Sequence, residues 1–119
     1  MKNRIAGTCF VSVDGDQLEL GGSLSLSLNS SEKEGLAGLS GVAGYKETPR
    51  VPFIELECFV PKGFPLAKIR DGDGLVITAE LANGMTGVLS EAWLAGELAI
   101  NGAEGNTSLR FEGKEGKWI

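Results

Sequence analysis

Residues 21–28 read Gly21-Gly22-Ser23-Leu24-Ser25-Leu26-Ser27-Leu28, and this short run decides the fold class. With a two-residue period, Leu24, Leu26 and Leu28 fall on one face and Ser23, Ser25 and Ser27 on the other. A helix would mix the two sets around its circumference. The run is therefore a strand with one buried and one wet face, the signature of an antiparallel sheet covering a core.

The same period recurs in both directions. Upstream, Cys9, Val11 and Val13 share a face, and Asp14-Gly15-Asp16 turns the chain into a second run through Leu18 and Leu20, a hairpin signal. Downstream, Ile54, Leu56, Cys58 and Val60 alternate with Glu55 and Glu57. Leu75, Ile77, Ala79 and Leu81 repeat the pattern, and Ala82-Asn83-Gly84 supplies a tight turn into Thr86–Leu89. Leu94, Leu98 and Ile100, then Leu109 and Phe111, bring the count to about seven or eight strands. Pro65 suits the first turn of one short helix through Arg70. The expected fold is mainly β: a small sandwich or barrel with one short helix and one long loop.

That loop is Ser30–Arg50, SSEKEGLAGLSGVAGYKETPR, where the alternation stops. It exceeds the usual hairpin connection, and loops this long are functional or disordered in isolation. Gly35, Gly38, Gly41 and Gly44 recur every third residue, but neither GxGxxG nor a Gly-Lys-Ser/Thr ending is present, which argues against a phosphate cradle. The segment reads either as a flexible surface loop or as one that orders against a neighbouring subunit.

Composition sets the outer limits. With 119 residues, 42% apolar and 23% charged, the chain is expected to form one domain, residues 1–119, with a single core. Eighteen glycines, against a usual share near ~7%, call for many turns. A net charge of −5 with scattered Lys and Arg lacks the basic footprint needed to grip nucleic-acid phosphates or an anionic membrane. No apolar stretch approaches the ~20 residues of a membrane-spanning helix. The start, Met1 to Gly7, is basic without an apolar run behind it, so no secretion signal is expected. Cys9 and Cys58 both lie in apolar strand patterns and read as reduced core thiols made in a cytoplasm, with a disulfide between them as the alternative.

Sites for chemistry are sparse. There is no histidine, which removes Ser–His and Cys–His pairs. Asp14-Gly15-Asp16 and Asp71-Gly72-Asp73-Gly74 lack the further oxygen ligands of a calcium loop and read as turns. Glu55 and Glu57 lie ~7 Å apart on one strand face, the ordinary arrangement of a solvated side. Trp93 is expected in the core or at a strand edge. No catalytic residue, cofactor site or metal site is expected.

Read in order, several words resemble the tail tube family of contractile-tailed, Mu-like bacteriophages. They are Arg4-Ile5-Ala6-Gly7-Thr8, Val11-Ser12-Val13-Asp14-Gly15, Glu32-Lys33-Glu34-Gly35-Leu36-Ala37-Gly38 and Gly41-Val42-Ala43-Gly44-Tyr45-Lys46-Glu47-Thr48-Pro49-Arg50-Val51-Pro52. Ala79-Glu80-Leu81-Ala82-Asn83-Gly84, Ala92-Trp93-Leu94-Ala95-Gly96-Glu97, Ala103-Glu104-Gly105 and Arg110-Phe111-Glu112-Gly113 continue the series. The pattern departs from the family between Cys58 and Arg70, where Phe59, Pro61, Phe64 and Pro65 make an apolar, stiff connection, and again over Gly113–Ile119.

The resemblance implies a structural subunit of a virion tail, made in the host bacterial cytoplasm. Hexameric rings would stack into a hollow tube inside the contractile sheath, around a tape measure protein, and later conduct DNA. Subunit-contact candidates are Glu32, Lys33, Glu34, Gly35, Gly38, Gly41, Gly44 and Tyr45, with the three charged residues selecting register. The alternative from composition alone is a β-sandwich module that binds a receptor or carbohydrate.

Overall fold

The computed structural model describes residues 3–119; the first two residues of the basic start lie outside them. The elements in chain order are β1 (Phe10–Val13), β2 (Asp16–Leu18), β3 (Leu20–Ser27), β4 (Ser31–Gly38), β5 (Gly41–Pro49), β6 (Phe53–Phe59), α1 (Leu66–Asp71), β7 (Asp73–Glu80), β8 (Thr86–Leu94), β9 (Ile100–Asn101) and β10 (Asn106–Trp118). The fold is mainly β with one short helix, as the alternation requires.

Seven strands form one sheet in the order β2-β1-β7-β8-β10-β6-β3, with every pairing antiparallel and β9 attached to β10. The two edge strands β2 and β3 follow one another in the chain with only Glu19 between them, and the Phe59 amide donates to the Glu19 carbonyl at 2.8 Å. One stretch, Asp16–Ser27, thus serves both ends of the sheet, which curls into a nearly closed barrel. Alternation then sends Val11, Val13, Ile54, Leu56, Cys58, Ile77, Ala79, Leu89, Leu109 and Phe111 inside, each essentially inaccessible.

The Asp14-Gly15 turn joins β1 to β2, with Val11 opposite Leu18 and Val13 opposite Asp16. Helix α1 forms within the apolar Cys58–Arg70 connection and buries Ile69, while Lys68 ties it to Asp16 at 2.6 Å. Pro65 caps it from outside the first turn.

Four expectations need correction. Ser30–Arg50 is not a loop: β4 and β5 pair into a long hairpin, Ser31 opposite Pro49 through Gly38 opposite Gly41. The run through Leu18 and Leu20 is not one strand: β2 ends at Leu18, and Leu20 opens β3, which continues through Gly21-Gly22 in a bulge that admits the Phe59 ring, 3.0 Å from where a Gly21 Cβ would sit. The run through Leu98 is broken: β8 stops at Leu94, and only Ile100 and Asn101 resume pairing. Cys58 is a core thiol, but Cys9 precedes β1 and is half-exposed; both are free.

The last strand also runs seven residues beyond Phe111, because glycines replace apolar side chains on its inner face. At Gly116 a Cβ would meet the Leu28 Cβ at 2.9 Å, and at Gly113 it would meet the Ser90 carbonyl oxygen at 2.8 Å. Only a bare backbone lets Leu28 cross the barrel end and close it.

Candidate functional site

The hairpin of β4 and β5 gathers every contact candidate on one arm. Glu32, Lys33, Glu34, Gly35 and Gly38 lie on β4, and Gly41, Gly44 and Tyr45 on β5, with Gly35 opposite Tyr45 and Glu34 opposite Lys46. No residue of either strand belongs to the barrel core, and all but Ser31 and Thr48 are exposed.

Cross-strand pairs hold the arm in register. Lys46 Nζ lies 3.4 Å from the Glu34 carboxylate, and Arg50 Nε lies 2.6 Å from that of Glu32. On the opposite face the Lys33 ammonium stands 5.0 Å from the Tyr45 ring centroid, and the Ser31 hydroxyl donates to Glu47 at 3.4 Å. Glu32 and Glu34 are therefore already occupied within the hairpin. At the far end Gly41 and Gly44 adopt φ of +132° and +148°, where a side chain would be strained, and a register shift follows Leu36.

What composition-level reading missed is the arm's apolar end. Between Glu34 and Lys46 lie eleven consecutive uncharged residues, Gly35 to Tyr45. Leu36, Val42 and Tyr45 are exposed there, and Leu39 at the tip is fully so. The signal for it in the sequence is this absence of charge.

The barrel's wet face carries Ser23, Ser25 and Glu55 in the open, with Glu57 half-buried. Arg110 is held among carboxylates, 3.4 Å from Glu55 and 3.2 Å from Glu112, with its guanidinium 4.0 Å above the Phe53 ring. Glu57 accepts from the Asn106 amide at 3.1 Å. The acidic pair is thus tied into a surface network rather than set for acid–base work.

The aspartate turns are likewise satisfied structurally. Asp14 accepts the Val76 amide at 2.8 Å, Asp16 binds Lys68, and Asp71 takes both donors of Arg70 at 2.9 Å, which holds the Asp71 carboxyl below its usual range. Among the described residues, no group of three carboxylate or thiol side chains is placed to hold a metal ion. Burial, aided by Glu57, pushes the Cys58 thiol up to about 11, so it is a poor nucleophile at neutral pH. Trp93 is half-buried at the end of β8.

Among the surface clefts, two lie at the ends of β6. One of about 640 Å³ lies at the root of the hairpin between Asn29, Lys33, Arg50 and Arg110. Another of about 290 Å³ opens at the far end of β6, between Gln17 and Glu19 on one side and Phe59, Pro61, Phe64 and Pro65 on the other.

Comparison with known proteins agrees with this geometry. The chain is 31% identical to the tail tube protein of Escherichia phage Mu, over 98% of this chain and 97% of that one. Its fold is similar to the cap that terminates the tube of the anti-feeding prophage (TM-score 0.64, 13% identity, 98% and 92% of the two chains). It is also similar to Hcp1 of Flavobacterium johnsoniae (TM-score 0.61, 10% identity, 92% and 93%). A family model described as phage tail tube protein matches residues 2–118. With that match across nearly its whole length, the chain belongs to the phage tail tube protein family, a structural subunit of a virion tail and not an enzyme.

Proposed function

We propose that six copies of this chain close into a ring and that rings stack head to tail into a hollow tube inside a contractile sheath. A tape measure protein occupies the channel during assembly, and DNA passes through it on ejection. Synthesis takes place in the host bacterial cytoplasm. The observation that carries this reading is the free hairpin: an 8-residue and a 9-residue strand paired only with each other, both faces in solvent. A two-stranded ribbon is marginal by itself in water and gains stability when a further surface covers it. In a tube that surface belongs to a neighbouring subunit, with Glu32, Lys33, Glu34, Gly35, Gly38, Gly41, Gly44 and Tyr45 at the contact.

Passage of DNA is supported by charge. The net charge is −5, and on the serine-lined and acidic face around Ser23, Ser25, Glu55 and Glu57 the cation Arg110 is already paired with Glu55 and Glu112, which leaves phosphates little to bind when this face lines the channel. The mechanism is passive: repulsion prevents sticking, and no bond is made or broken.

Electron microscopy of concentrated protein, with sheath and initiator proteins supplied, tests the assembly. Six-fold rings or tubes of uniform diameter are expected, and a chain that remains monomeric throughout refutes it. Hydrogen exchange tests the hairpin's part. Residues 31–49 are expected to gain protection in the tube, and equal protection in monomer and tube removes the hairpin from the contact.

A further inference from the structure

We propose that the turn after β9 is a self-modification site. There Asn101 cyclises onto the backbone nitrogen of Gly102, loses ammonia and is hydrolysed to aspartate and isoaspartate, faster than the chain's other Asn-Gly bond.

Five asparagines occur, and two of them, Asn83 and Asn101, precede glycine. Glycine in that place carries no Cβ to shield the backbone nitrogen from the side-chain amide. By sequence the two bonds are comparably reactive, and both lie in exposed turns. The fold separates them.

In the β7–β8 turn the reacting groups are engaged. The Gly84 amide donates to the Leu81 carbonyl at 3.0 Å, which occupies the nucleophile. Asn83 Nδ2, the leaving nitrogen, donates to Met85 Sδ at 3.3 Å, and Asn83 Oδ1 accepts a single amide, that of Met85, at 3.0 Å.

After β9 the pattern is reversed. Among the described residues neither the Gly102 amide nor Asn101 Nδ2 has an acceptor. Asn101 Oδ1 instead accepts two backbone amides, from Ala103 at 3.1 Å and from Glu104 at 3.2 Å. These donors converge on the oxygen that gains negative charge as Cγ becomes tetrahedral, the arrangement of an oxyanion hole. The Gly105 amide, donating to the Asn101 main-chain carbonyl at 2.8 Å, and the pairing of Asn101 with Asn106 fix the residue in place.

The chemistry balances with water alone. Solvent base removes the Gly102 amide proton, and the nitrogen attacks Asn101 Cγ. The N–Cγ bond forms as an electron pair moves onto Oδ1; its return breaks the Cγ–Nδ2 bond, and the side-chain nitrogen leaves with a proton as ammonia. Water opens the cyclic imide at Cγ to give aspartate, or at the main-chain carbonyl carbon to give isoaspartate. Nothing is oxidised or reduced.

The two products act differently on the fold. Aspartate keeps an oxygen for the Ala103 and Glu104 amides. Isoaspartate routes the main chain through Cβ and displaces the Asn101 carbonyl from the Gly105 amide. Because Gly105 accepts the Val60 amide at 2.8 Å, this loosens the corner where β9, β10 and the end of β6 meet.

Ageing the full-length chain in mildly alkaline buffer, followed by peptide mapping with mass spectrometry, provides the test. In the folded protein Asn101 is expected to convert about tenfold or more faster than Asn83, and in urea, where neither turn exists, the two rates are expected to converge. Gly102→Ala is expected to slow Asn101 alone; its Cβ would meet nothing within 4 Å and its backbone is not left-handed, so the turn is kept. Asn83 converting as fast as Asn101 in the folded chain overturns the proposal. So does a rate difference that survives in urea, which would belong to sequence and not to the turn, or a Gly102→Ala chain that converts at the parent rate.

Discussion

Excising the hairpin should leave the barrel almost as stable as before. The variant replaces residues 31–49 with Asn-Gly and keeps Ser30 and Arg50, whose backbones already meet at 2.9 Å, so the flanking strands need not move. Leu28 and Pro52, which lie on the barrel side of the cut, stay buried. No core side chain is removed, because none of the excised residues belongs to the core. The exposed ion pairs Glu34–Lys46 and Glu32–Arg50 disappear, at a cost of about 0–1 kcal/mol each. Shortening the connection between β3 and β6 returns about 1 kcal/mol of closure entropy. The two terms nearly cancel, so urea melts of the monomer should agree with the full chain within about 1 kcal/mol. The same variant should not assemble. A loss above about 3 kcal/mol would refute the reasoning, because a change of that size requires lost core packing and hence an arm that lies on the barrel.

The core itself should be far less tolerant. Phe111, wholly buried between Ile54 of β6 and Leu94 of β8, should cost about 3–5 kcal/mol on truncation to Ala, read as a lower urea midpoint at unchanged slope. Cys58 should resist thiol reagents in the folded chain at neutral pH and react once urea unfolds it. Its thiol is raised from 9.0 to about 11, so the folded state keeps a proton that the unfolded chain releases. Stability from this group is therefore intact below pH 9 and falls as pH rises towards 11, a loss that Cys58→Ala should abolish in a pH series of urea melts. Lys68→Ala removes the 2.6 Å pair with Asp16 that pins α1 to the β1–β2 turn; because that pair is largely solvated, thermal melts should show a loss of about 1 kcal/mol or less.

Where a strand has one buried face, its residues announced it. Leu24, Leu26 and Leu28 opposite serines, and Ile54, Leu56 and Cys58 opposite glutamates, are the pleat written directly in side chains. The barrel's closure was not legible in the same way, because it depends on glycines at inner positions. Gly87, Gly113 and Gly116 occupy buried or half-buried sites where an apolar pattern would predict Val or Leu, so β10 reads as ending near Phe111. At Gly87 and Gly116 the missing side chain makes room for Leu28 arriving from the far side of the barrel, and at Gly113 for Leu89 and the Ser90 carbonyl of β8, long-range facts that no local window contains. Gly21 and Gly22 serve a related purpose: a glycine pair within a strand makes room for Phe59 and Glu57.

The hairpin escaped for a third reason, which also explains its place in function. Periodicity records burial, and an arm with neither face buried in its own molecule has no hydrophobic alternation to display. What it did display was cross-strand complementarity: Glu34 with Lys46 and Lys33 with Tyr45, pairs spaced symmetrically about the Leu39–Ser40 tip. Leu36, Leu39 and Val42 then stand out, because a barrel that hides Ile54, Ile69 and Ile77 completely still leaves these three in water. Scattered exposed leucines are ordinary, but a cluster on a hairpin that packs on no part of the barrel core is what the proposed subunit contact requires. The pattern that failed as a description of the monomer is the one expected of a segment whose buried state is created by assembly.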